Sequence, residues 1–226
     1  MKSITQLFLP GYLINSLILS MIFQTSYADN KNSVQTLLIL GDSLSAAYGI
    51  QQGGGWVYLL QKKLKQTNKK IHIVNASISG DTTANGLNRL PDDLQLHQPA
   101  WVMIELGAND GLRGLSIAHI RDNLQTLIKS SLASGAEVIL MEIKIPPNYG
   151  KKYTRAFNRI YHKLAEQYDL LLLPFILDEI AIKPELMQAD GLHPNDRAQA
   201  IISENLWKML EPVLEIKSEI RRVRGQ

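Results

Sequence analysis

Thr36-Leu37-Leu38-Ile39-Leu40 runs straight into Gly41-Asp42-Ser43-Leu44-Ser45. An unbroken apolar run of this length reads as a strand covered on both faces, the pattern of a parallel sheet. The glycine turns the chain, so Ser43 stands where a strand gives way to a helix. Four more such runs follow: Ile71–Val74, Trp101–Leu106, Glu137–Ile143 and Leu170–Leu173. Between them, apolar residues recur at three-four spacing: Ile117, Ile120, Leu124, Leu127 and Ile128; Phe157, Ile160, Tyr161 and Leu164; and Ala198, Ile201, Ile202, Trp207 and Leu210. Trp56–Leu64 reads as a helix after the first strand. Thr82–His97 has a weaker helical pattern, which Gly86 and Pro91 interrupt. Strands alternating with helices imply right-handed crossovers and an α/β fold, a three-layer α/β/α sandwich on a five-stranded parallel sheet.

Ligand sites in such sheets lie beyond the carboxyl ends of the strands. Ser43 follows the first run, Gly80 the second and Asn109 the third, while Asp190 and His193 sit in a loop before the last helix. These polar residues therefore fall on one edge of the sheet. Ser43 offers a hydroxyl that becomes nucleophilic only with a base in hydrogen-bond reach. His193 offers that base, and Asp190, three residues earlier, a carboxylate to orient it. Gly80 and Asn109 offer neutral N–H donors for an oxyanion, with the Ser43 N–H as a third.

Each residue also has a plain reading. Ser43 can be a helix N-cap, and Gly80 and Asn109 turn residues. Asp-x-x-His can be half a metal site, though no second ligand cluster accompanies it. His72, His97, His119 and His162 read as structural or solvated. Gly53-Gly54-Gly55 lacks the Gly-Lys-Ser/Thr of a phosphate loop and reads as a turn. There is no Gly-x-Ser-x-Gly elbow. Leu112, Ile145, Pro146 and Tyr149 lie at the same sheet edge and could form an apolar wall.

The chain has 226 residues and 45% hydrophobic content, enough for one globular domain. It contains no cysteine, which excludes disulfides, cysteine-based zinc sites and a thiol nucleophile. Residues 1–28 form a distinct segment: Lys2 at the start, an apolar stretch over Leu13–Phe23, and Ser26-Tyr27-Ala28 before Asp29. This is the pattern of a signal peptide cleaved after Ala28, leaving residues 29–226 as the domain. No later segment has the composition of a bilayer span. Lys2 is the segment's only charge, so its removal lowers the formal net charge of +3 by one. That near balance gives no reason to expect a nucleic-acid partner. The basic run Arg221-Arg222-Val223-Arg224 reads as the solvated end of a helical tail over about 215–226.

Together, Gly41–Ala46, Val74–Thr82, Glu105–Gly114, Pro147–Gly150 and Asp190–Asn195 resemble the SGNH (GDSL-type) hydrolases. The similarity is to the exported bacterial subgroup of thioesterase I/protease I/lysophospholipase enzymes and arylesterases. It extends from about Thr36 to about Leu210. The resemblance implies a flavodoxin-like fold, a Ser43–His193–Asp190 triad, and an oxyanion hole from Ser43, Gly80 and Asn109. It implies no cofactor and no metal, and activity on small acyl esters or thioesters, membrane-derived lysophospholipids among them; a monomer is the expected state. Ala47 and Ala108 stand where the family often has glycine. Export points to a periplasmic address. A carbohydrate O-acetylesterase could use the same triad. A flavodoxin-like binding module is the non-enzymatic alternative, but the Gly41–Ala47 loop is a poor flavin-phosphate loop.

Overall fold

A computed structural model describes residues 34–67 and 69–224, with side chains described as far as Leu214; residues 1–28, expected to be a signal segment, lie outside the described residues. Among the described residues are five strands: β1 Gln35–Gly41, β2 Ile71–Asn75, β3 Trp101–Glu105, β4 Glu137–Met141 and β5 Leu171–Leu173. They form one parallel sheet in the order β2-β1-β3-β4-β5. Six helices accompany it: α1 Trp56–Gln66, α2 Thr83–His97, α3 Ala108–Leu112, α4 Ile117–Ala133, α5 Lys151–Tyr168 and α6 Asp196–Arg224. None of the helices is long and apolar enough to cross a membrane.

The strands alternate their side chains between two cores. Leu37, Ile39, Trp101, Met103, Ile139 and Met141 pack under α1 and α6 with Trp56, Leu60, Ile202 and Leu206. Leu38, Leu40, Val102, Ile104, Val138 and Leu140 pack under α2, α4 and α5 with Leu90, Leu124, Phe157 and Ile160. Both faces are therefore covered, which accounts for the continuous apolar runs.

α2 is a complete helix despite its glycine and proline. Thr82 caps it: its hydroxyl accepts the Asn85 N–H (3.3 Å) while Asn85 Oδ1 accepts the Thr82 N–H (3.1 Å). Gly86 is required by packing, since a Cβ there would lie 2.4 Å from Leu106 Cδ1. Pro91 faces solvent. α6 continues through Pro212 to Arg224, so the backbone of the basic tail is helical that far.

The chain leaves β1 for β2 on one side and, after α2, returns to β3 on the other. This reversal opens a crevice at the carboxyl ends of β1 and β3. Ser43 and Asn109 stand at its two sides.

Candidate active site

The turn that carries Ser43 is held by atoms beneath it. Register pairs Gly41 with Glu105. A Cβ at Gly41 would lie 2.7 Å from Glu105 Oε2, so glycine makes room for the buried carboxyl. Glu105 Oε2 accepts the Ser45 hydroxyl (2.7 Å) and the Asp42 N–H (3.3 Å). Asp42 Oδ1 accepts the Leu44 N–H (3.1 Å), wrapping a side-chain turn around Ser43. Trp56 Nε1 donates to the Leu44 carbonyl (3.0 Å), and Asn75 Nδ2 to the Ser45 carbonyl (2.8 Å). Burial pushes Glu105 well above the usual carboxylate range and raises Asp42 to about 6; the Leu44 N–H and the charge of His193 pull Asp42 partly back.

Ser43 Oγ lies 2.8 Å from His193 Nε2, and His193 Nδ1 lies 2.6 Å from Asp190 Oδ2. The other Asp190 oxygen accepts the N–H groups of Leu192 (2.9 Å) and His193 (3.0 Å). The hydrogen bond from the His193 ring, then those two N–H groups, pull Asp190 down to about 2, so it is a carboxylate at neutral pH. The loop itself is pinned. The Gln188 N–H donates to the His193 carbonyl (2.8 Å), the Gly191 N–H to the Gln188 carbonyl (3.0 Å), and Asn195 Nδ2 to the Glu185 carbonyl (2.9 Å). Gly191 has φ +65°, which glycine adopts without strain. The Tyr48 ring sits against the imidazole, centroids 4.6 Å apart, and Gln188 Nε2 holds the Tyr48 carbonyl at 2.8 Å.

Asn109 Nδ2 donates to the Asp81 carbonyl at 2.9 Å, which ties β3's end to the Gly80–Asp81 turn. Gly80 has φ +87°, and the space its missing Cβ would enter is open. Among the described residues, neither the Ser43 nor the Gly80 N–H has a hydrogen-bond acceptor. A hydroxyl beside an oriented imidazole, with free N–H donors nearby, has the parts for attack on a carbonyl carbon and for holding the resulting oxyanion.

A cavity of about 550 Å³ opens from this point, with Ser43, Asn109 and His193 in its wall. Leu112, Ile145, Pro146, Phe175, Leu177 and Ile182 make it largely apolar. Lys144 and Asp178 also line it, ion-paired at 2.5 Å. Three of the four residues expected in an apolar wall are thus in it. Tyr149 is not; its hydroxyl instead donates to the Leu112 carbonyl (3.0 Å).

A model of the GDSL-like lipase/acylhydrolase family matches residues 39–201. The chain belongs to that family. It is 45% identical to esterase TesA of Pseudomonas aeruginosa over 201 residues, covering 89% of this chain and all of the relative. It is 47% identical to thioesterase 1/protease 1/lysophospholipase L1 of Escherichia coli over 182 residues, 80% of this chain and 86% of that one. Among solved structures, the esterase EstA of Pseudoalteromonas, inhibited by monoethylphosphonate, superposes with a TM-score of 0.78 at 46% identity, covering 80% of this chain and 99% of its own. This acylhydrolase therefore shares its fold and most of its length with enzymes named as esterases.

The sequence alone did not single out Glu105, Ser45, Asp42, Tyr48 or Gln188. Glu105 left a trace: a charged residue closing an otherwise apolar strand buried on both faces needs a partner. Tyr48 and Gln188 left none: Tyr48 meets His193 only through the tertiary fold, and a glutamine in a loop carries no signal of the carbonyls it will hold. None of the other four histidines lines the cavity; His162 pairs with Glu142 (2.8 Å) and His119 lies beside Asn123 (3.1 Å).

Proposed function

We propose that this protein is a serine esterase and thioesterase working through an acyl-enzyme on Ser43. The observation that carries this reading is the linear relay Ser43 Oγ–His193–Asp190, at 2.8 and 2.6 Å. His193 Nε2 takes the hydroxyl proton as Ser43 Oγ attacks the acyl carbon. Asp190, ionised, fixes the tautomer and stabilises the imidazolium. The Ser43 and Gly80 N–H groups and the Asn109 amide hold the oxyanion. As the carbonyl reforms, His193 hands its proton to the leaving alkoxide or thiolate. Water, activated by the same imidazole, then releases the acid.

The substrate is an ester with an acyl chain longer than acetyl. The apolar cavity offers far more room than an acetyl group fills, which favours lipid-derived esters, such as lysophospholipids, over O-acetylated sugars. Residues 1–28 act as a cleaved signal, and the domain works in the periplasm, away from the cytoplasmic acyl-CoA pool. Aminoterminal sequencing of protein from the periplasmic fraction tests that address; a chain still beginning at Met1 refutes it. The mechanism is tested by fluorophosphonate labelling with peptide mapping. Label on Ser43, lost in His193→Ala, is expected. Hydrolysis of p-nitrophenyl esters by Ser43→Ala at the wild-type rate would overturn it. Turnover that rises from acetyl to octanoyl esters is expected, and acetyl selectivity would return the sugar-ester reading.

A further inference from the structure

Asn109 Nδ2 has two N–H groups to place. One goes to the Asp81 carbonyl at 2.9 Å, which also settles the amide's orientation, because Oδ1 in that place would face another oxygen. The second points toward Asp42 Oδ2, at 3.4 Å. That is beyond the usual 2.7–3.2 Å range for a full N–H···O bond. The contact is long enough to aim the N–H without consuming it. Asp42 has no freedom to shorten it. Its backbone N–H is held by Glu105, its other oxygen by the Leu44 N–H, and its side chain is 1% exposed.

We propose that Asp42 is a positioning residue for the reaction: its long contact holds the second Asn109 N–H at the wall of the cavity that Asp42, Ser43 and Asn109 line together, from where that N–H passes to the oxyanion. Asp42 does not touch the substrate in this arrangement. It acts through Asn109, and through the Leu44 N–H it shapes the turn that leaves the Ser43 N–H open. The proposal rests on the acyl-enzyme reading. It adds a reason why an aspartate directly precedes the nucleophile when a carboxylate there does nothing for the oxyanion by its own charge.

The test is a double-mutant cycle on p-nitrophenyl ester hydrolysis. In Asp42→Asn the side-chain oxygen still accepts the Leu44 N–H, but an amide NH₂ then faces the Asn109 NH₂, and two donors cannot pair. An oxyanion-hole donor is worth ~10²–10³ in turnover, and misaiming one forfeits part of that. We expect kcat to fall about tenfold with KM within about twofold of the wild type. In the Asn109→Ala background the same Asp42→Asn change should move kcat less than about twofold. If Asp42→Asn does not fold, Asp42→Ser goes through the same cycle; its hydroxyl accepts the Leu44 N–H but stops short of Asn109. Equal losses in both backgrounds, a loss confined to KM, or an unchanged kcat would each overturn the proposal. A Ser43→Ala protein that stays active would instead sink the acyl-enzyme reading itself.

Discussion

Glu105 offers a sharp test of the buried chemistry under the nucleophile. It is fully buried, accepts hydrogen bonds from Ser45 and Asp42 on Oε2, and has no partner for Oε1 among the described residues. Burial, and then the neighbouring charge of Asp42, push its carboxyl well above its ordinary 4.5. Glu105→Gln keeps one carbonyl oxygen for both donors and puts an amide NH₂ where the unpartnered Oε1 stood. It should cost under about 1 kcal/mol at pH 5. Glu105→Ala strands two buried donors at ~1–3 kcal/mol each and leaves a void, for a loss of about 3–5 kcal/mol. The sign of the pH dependence follows from linkage. An acid whose folded pKa is raised favours the fold below its unfolded pKa, and that advantage is lost as pH rises toward the folded value. Above pH 4.5 the wild type therefore loses up to ~1.4 kcal/mol per pH unit from this group, and Glu105→Gln does not. Asp42, raised from 3.8 to about 6, adds its own loss over that window in both proteins and so largely cancels. Urea unfolding of both at pH 5, 6, 7 and 8 should show the glutamine variant gaining on the wild type as pH rises above 5. A gap between the two proteins that does not change with pH over this range would mean Glu105 is ionised in the fold as in the unfolded chain, and the reasoning would fail.

Asn109→Ala should lower kcat by ~10²–10³ with the Ser43 hydroxyl still open to fluorophosphonate, because it removes one oxyanion donor and not the nucleophile. Asp190 is held near 2 against its ordinary 3.8, so its contribution to stability is full above pH 4 and is lost as pH falls through about 2. The stability gap between wild type and Asp190→Asn, read by denaturation, should shrink as pH falls from 4 through about 2; a gap unchanged across that window would contradict the assigned hydrogen bonds. Gly86→Ala should lower the melting temperature despite alanine's higher helix propensity, since its Cβ meets Leu106 at 2.4 Å and overpacking costs ~1–3 kcal/mol against a gain of ~1. A rise in melting temperature would show that α2 can move off the sheet without penalty.

The sheet was readable in the sequence because a strand covered on both faces must be apolar at every position. Leu37–Leu40 and Trp101–Ile104 meet that demand, whatever else the chain does. Parallel order and a site at the carboxyl ends follow from chain chirality and alternation of elements. Ser43, Asn109 and His193 could be nominated because each stands just past a strand or before a helix. Helix α2 was harder, since propensity penalises Gly86 and Pro91, while the reward, close contact with Leu106 and a Thr82 cap, is paid in three dimensions. Tyr149 was placed in the cavity wall by proximity in sequence, yet its hydroxyl turns to the Leu112 carbonyl. Composition and periodicity, then, determine which segments must be buried and which loops share an edge. The distance of 2.8 Å between Ser43 and His193, 150 positions apart, and the pushed-up carboxyls of Asp42 and Glu105, were decided by folding alone. They depend on what each side chain is packed against and how much water it loses, and neither is a property of any one residue or its neighbours in the chain.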